Sequence, residues 1–167
     1  RLYFLTDYQY CRILNGMKHI LGLKKFHLFI QDYIRDEDNI HRELINFLSK
    51  TNSLQELSIN IPSQDSESDN ILGELPELLN LKTLTLKFPQ HPSRAISSSQ
   101  INSLSGSLSH NKLERLSLTC KFGSGEVIEL MELFLQIQEQ VALKEVEFNF
   151  MGVESDFLIF NSFMCAQ

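Results

Sequence analysis

Apolar and polar residues alternate in five short stretches of this chain, and every stretch opens the same way. A leucine precedes two polar residues, and apolar residues then fall at the fourth, sixth and eighth positions. The stretches are Leu23-Lys-Lys-Phe26-His-Leu28-Phe-Ile30, Leu54-Gln-Glu-Leu57-Ser-Ile59-Asn-Ile61, Leu81-Lys-Thr-Leu84-Thr-Leu86-Lys-Phe88, Leu113-Glu-Arg-Leu116-Ser-Leu118-Thr-Cys120 and Leu143-Lys-Glu-Val146-Glu-Phe148-Asn-Phe150. A period of two describes a strand with one buried face. Strands are therefore expected near 23–30, 54–61, 81–88, 113–120 and 143–150, at intervals of 31, 27, 32 and 30 residues.

Between these stretches the apolar spacing changes to three and four, as in Ile40, Leu44, Phe47 and Leu48, or Val127, Met131, Phe134, Ile137 and Val141. That is the stripe of an amphipathic helix. Ile13, Leu14, Met17 and Leu21 predict a further helix over 8–21, and Phe157, Leu158, Ile159, Phe160 and Phe163 occupy the helix slot after the last strand. Start signals agree with this division. Ser97 and Gln100 fit a capping box before Ile101, Asp38 or Asn39 can cap the segment near Ile40, and Ser124 can cap the one near Val127. Pro76 predicts a short helix beginning beside it. Strands of one polarity joined by helical crossovers make a parallel α/β sheet with all helices on one side. Alternation along each strand leaves the other side open to water, unlike ordinary parallel sheets, which read as continuous apolar runs.

The repeated Leu-x-x-Leu-x-Leu pattern, five times from Leu23 onward, resembles the leucine-rich repeat superfamily in its ribonuclease-inhibitor-like, helix-containing form. The resemblance implies a solenoid, with a curved parallel sheet on the concave face and helices on the convex face, as a single domain over residues 1–167. One feature departs from the family. Its usual ninth-position Asn or Cys is replaced by Gln31, Pro62, Pro89, Lys121 and Met151, while the eighth position is apolar throughout. Longer strands are the expected result, with Pro62 and Pro89 ending pairing because proline has no N–H to donate. Both ends read as cut through a repeat, so flanking repeats or domains of a longer chain are expected.

Little catalytic or metal chemistry is visible. The histidines never recur at the spacing of a helical zinc pair. The acidic runs at 36–38 and 65–69 lack the glycine and glutamate of a calcium loop. Gly123-Ser124-Gly125 lacks the lysine of a phosphate loop. The chain is therefore read as non-enzymatic and without a cofactor. Cys120 falls on an inward strand position as a small buried hydrophobe. No apolar run approaches the roughly 20 residues that span a membrane, and no signal-peptide pattern opens the sequence. A reducing, cytoplasmic location follows as the expectation.

Attention then falls on the open face, where three rows of outward residues cross the repeats. They are Lys25, Glu56, Thr83, Arg115 and Glu145; His27, Ser58, Thr85, Ser117 and Glu147; and Phe29, Asn60, Lys87, Thr119 and Asn149. Small hydroxyl residues at the centre predict a shallow trough between longer charged ones. Phe29 is the one large apolar member, placed either to anchor a partner or to pack under the N-terminal segment or a neighbouring loop. With 15 Lys and Arg against 21 Asp and Glu, the net charge of -6 disfavours nucleic acid and an anionic membrane. A protein partner bound on the concave face is the expected function. Two alternatives are the recognition arm of a larger regulatory protein, such as a ubiquitin-ligase substrate receptor, a sensor or a repeat-fused kinase, and a regulator of a small GTPase using Arg94 or Arg115.

Overall fold

A computed structural model describes residues 7–20, 22–29, 37–60, 78–88, 98–110, 112–121, 127–139 and 142–151. Among these residues are four helices and five strands. Their order is α1 (Asp7–Met17), β1 (Lys25–Phe29), α2 (Glu37–Leu48), β2 (Glu56–Asn60), β3 (Thr83–Lys87), α3 (Ser98–His110), β4 (Arg115–Lys121), α4 (Val127–Gln138) and β5 (Glu145–Met151). The strands form one sheet in sequence order, and every pairing is parallel. The fold class is thus mixed α/β, as the alternating periods predict.

Register between strands is uniform. Leu57 lies beside Phe26 and Leu84, and Leu116 beside Leu84 and Val146, so fourth positions align across the sheet. A repeated backbone contact sets this register just before the strands begin. The carbonyls of Lys24, Gln55, Lys82 and Glu114, all second-position residues, each accept two N–H groups from the next unit, at 2.8–3.1 Å. The first two residues of each stretch therefore belong to this turn and not to the strand, which starts two residues later than the pattern suggests. The other end also differs from expectation. β3 stops at the seventh position while β4 and β5 reach the ninth, and the residues that follow Phe29 of β1 and Asn60 of β2 lie outside the described ones.

The inward residues Leu57, Ile59, Leu84, Leu86, Leu116 and Leu118 are buried, and so is Cys120. They join Leu14, Ile40, Leu44, Phe47, Leu48, Ile101, Leu104, Leu108, Leu133, Phe134 and Ile137 in a single apolar core. All four helices contribute to it, with α1 packed on α2 and α3 on α4. Burial lifts the Cys120 thiol far above its ordinary pKa, since a thiolate there would lose its hydration. Phe26 of β1 meets Phe47 of α2 at 4.7 Å between ring centroids, and Phe148 of β5 meets Phe134 of α4 edge-on at 4.8 Å.

Helix boundaries refine the sequence reading. α1 ends at Met17, short of Leu21, and the chain turns into β1 through Gly22 at φ 81°, a left-handed conformation that glycine adopts without steric cost. α2 begins at Glu37, so Asp38 and Asn39 lie inside its first turn and do not precede it. The described part of α3 begins at Ser98 and that of α4 at Val127. Ser97 and Ser124 themselves lie outside the described residues, as do the helices expected near Pro76 and over 157–163 and the segment containing Arg94. Among the described residues no helix is long and apolar enough to cross a membrane.

The inward and outward assignment has a direct energetic test. Leu116→Ala is expected to cost about 2–5 kcal/mol, because it removes a fully enclosed side chain. Ser117→Ala, one residue along on the open face, is expected to stay within about 0.5 kcal/mol. Urea unfolding of both variants checks this, and similar losses at the two positions would refute the facing of β4.

Candidate functional site

The sheet surface opposite the core carries all fifteen outward residues of the sequence reading, aligned in the three expected rows. Lys25 pairs with Glu56, Glu56 with Thr83, Thr83 with Arg115 and Arg115 with Glu145; His27 to Glu147 and Phe29 to Asn149 follow in the same register. Ser58, Thr85 and Ser117 are half-buried in the centre, as are Asn60, Thr83 and Thr119, while Lys25, His27, Lys87, Arg115, Glu145, Glu147 and Asn149 are exposed. Phe29 projects outward with 58% of its surface accessible. Its backbone carbonyl, not its ring, holds the N-terminal helix, accepting a 2.8 Å hydrogen bond from the Tyr10 hydroxyl.

Charges on this face are paired across neighbouring strands. Lys25 Nζ lies 2.6 Å and His27 Nε2 2.9 Å from the two carboxylate oxygens of Glu56. The hydrogen bond from Lys25 first, with a lesser one from His27, holds the Glu56 carboxyl below its usual range against the opposing effect of burial, which outweighs the His27 contribution. At the other end Arg115 Nε meets Glu145 at 2.6 Å, and Ser117 Oγ donates to Glu147 at 2.8 Å. Glu145 raises the Arg115 pKa further, fixing its charge. Such exposed pairs contribute little energy singly, but they select which side chains stand side by side. The face consequently runs from Lys25 and His27 on β1 to Glu145 and Glu147 on β5.

A depression of about 610 Å³ draws together part of this surface. It lies along β1 and reaches across β2 to Lys87 of β3, including Ser58 but not Thr85 or Ser117 of the expected trough. Lys25, His27, Phe29, Ser58, Asn60 and Lys87 line it from the open face, and Tyr10, Ile13, Leu14 and Met17 of α1 with Phe26 and Leu28 line it from the core side. The remaining nine named residues are outside it. Sequence reasoning placed Ile13 and Met17 on a helix without seeing that they wall a groove, because periodicity does not say where a terminal helix docks.

A second-position row was also missed. Lys82 and Lys144 clamp Glu114 at 2.8 and 3.0 Å. Reading that row as Lys24, Gln55, Lys82, Glu114 and Lys144 would have shown the acid between two bases. Among the described residues no cluster of His, Cys, Asp or Glu has the makings of a metal site. Family models, curated proteins and solved structures were compared with the chain, and none matches.

Glu114 gives the row a measurable signature. Hydrogen bonds from Lys82 first and Lys144 second bring its carboxyl from the ordinary 4.5 down to about 2. Because the folded value is the lower one, the stabilisation is present above about pH 4.5 and is lost as pH falls toward 2. NMR titration of the Glu114 side chain is expected to show a midpoint near 2 at low salt, rising toward 4.5 in Lys82→Met/Lys144→Met and, through screening, at high salt. An unshifted midpoint in the unmodified chain would remove the clamp.

Proposed function

We propose that this chain is a non-catalytic protein-interaction scaffold of leucine-rich-repeat type, in which the open face is the concave side of a solenoid and receives a protein partner. One observation carries the reading. A parallel sheet is ordinarily covered on both faces, whereas here one face presents fifteen polar or outward-directed residues in register, with a large exposed aromatic at its edge. The uniform second-position contact supports repeated units stacked in one direction.

Recognition would divide by row. Half-buried Ser58, Thr85 and Ser117 allow a partner's backbone to approach the sheet, while Phe29 supplies apolar contact area and Lys87 a cation. Mixed signs across the face suit a protein better than a polyanion, which needs clustered bases. The Cys120 thiol, buried and unpaired, is compatible with a reducing, cytoplasmic setting. The GTPase-regulating alternative is less well supported, since Arg115 is tied to Glu145 at 2.6 Å.

The proposal is tested by changing the face without touching the core. Phe29→Ala/Thr85→Arg/Ser117→Arg is expected to keep the circular dichroism and melting of the unmodified chain and to weaken partner binding about tenfold or more. Crosslinking with mass spectrometry reads the outcome. A correctly folded triple variant that captures the same partner to the same extent would remove the open face as the binding surface.

A further inference from the structure

The charged groups in the three rows of the open face are engaged by neighbouring strands, with one exception, and it stands in the groove along β1. Glu56 meets Lys25 and His27, Glu145 meets Arg115, and Glu147 accepts a hydrogen bond from Ser117. Lys87 of β3 is exposed, and among the described residues no carboxylate meets its ammonium group. Its row explains why. Phe29, Asn60, Thr119 and Asn149 are the other members, none of them acidic, while the acids of the face stand in the first and second rows with partners already in place.

The groove joins this cation to an apolar surface. Phe29, 58% exposed, stands in register with Asn60 and Lys87, so Phe29 and Lys87 leave the sheet two strand spacings apart, about 10 Å. Half-buried Ser58 and Asn60 lie between them, and half-buried Ile13 and Met17 of α1 add to the apolar end. A volume of about 610 Å³ is enough for a few residues of peptide. One unanswered cation suits one carboxylate. A phosphate or a polyanion calls for several converging bases, and the other two of this groove, Lys25 and His27, are already held by Glu56. The net charge of -6 does not forbid an acidic visitor, because salt screens exposed charges beyond about 10 Å and leaves the local cation in control.

We infer that the groove receives a short acidic segment of a protein partner, with a carboxylate on Lys87 and a large apolar side chain against Phe29, Ile13 and Met17. The inference rests on the open face being the binding surface and adds the chemistry of what binds there. Between the two anchors the segment's backbone passes over the Ser58 hydroxyl and the Asn60 carboxamide, each able to donate and to accept. The two ends respond differently to salt. Added salt weakens the exposed ammonium–carboxylate contact and leaves the apolar one in place.

Phage display of random peptides on the full chain provides the test, because it presupposes no partner. Enriched sequences are expected to share an Asp or Glu with a large apolar residue a few positions away. Fluorescence anisotropy with one such peptide is expected to show binding at least tenfold weaker to Lys87→Glu and to Phe29→Ala, both with unchanged melting. Replacing the peptide's acid by its amide should weaken binding to the unmodified chain by a similar factor and leave binding to Lys87→Met unaltered. Equal losses on the two chains would put the carboxylate elsewhere and overturn the inference. So would a selection that enriches nothing, or sequences without an acid. Peptides lost from Thr85→Gln/Ser117→Gln but kept by Lys87→Glu overturn the inference and leave the open face as the binding surface. Peptides kept in full by both variants overturn the two together.

Discussion

One backbone contact fixes everything else in this molecule. The second-position carbonyl that accepts two N–H groups from the following unit recurs at Lys24, Gln55, Lys82 and Glu114, and it leaves no freedom in how neighbouring strands align. A slip of a single residue would carry Leu57, Leu84 and Leu116 to water and Ser58, Thr85 and Ser117 into the core. Core, open face and charge pairs all follow from that register. Intervals of unequal length between strands are tolerated for the same reason, because the pairing is set at the strand and not by the connection.

The pattern of apolar positions was enough to orient every strand, and it placed all fifteen outward residues in their rows. It failed at the ends. Val146 occupies the same slot as Leu116 and carries the same signal in the sequence, but one is 42% exposed and the other 1%. Periodicity reports the face a side chain takes; burial also depends on a neighbour on each side, and among the described residues β5 has a strand on one side only. The same limit hides the groove along β1, because periodicity does not say where α1 docks. Strand bounds were misjudged for another reason: the opening leucines Leu54, Leu81 and Leu113 are buried like strand residues, although the backbone there is already committed to the interlocking turn.

Side-chain size responds to this difference between middle and end. Inward positions of β2, β3 and the first part of β4 are filled by Leu and Ile alone, whereas β1 and β5 use Phe26 and Phe148, each in contact with a helix phenylalanine. An aromatic ring buries more area per residue than an aliphatic chain and so holds a strand that has only one strand partner among the described residues. The Tyr10 hydroxyl adds a polar tie from α1 to the last carbonyl of β1. Repeats identical in backbone are thus not identical in how they are fastened.

The aligned rows also impose a length scale. Neighbouring strands of a sheet are about 4.8 Å apart, and one turn of an α-helix advances about 5.4 Å. A helix laid across the strands therefore drifts by about 0.6 Å at each step, or roughly half a strand spacing from β1 to β5. Side chains repeating once per turn can match two or three adjacent members of a row, such as Ser58, Thr85 and Ser117, and fall between the rest. The grid of the open face favours short engagements over long ones, whatever the identity of the groups that meet it.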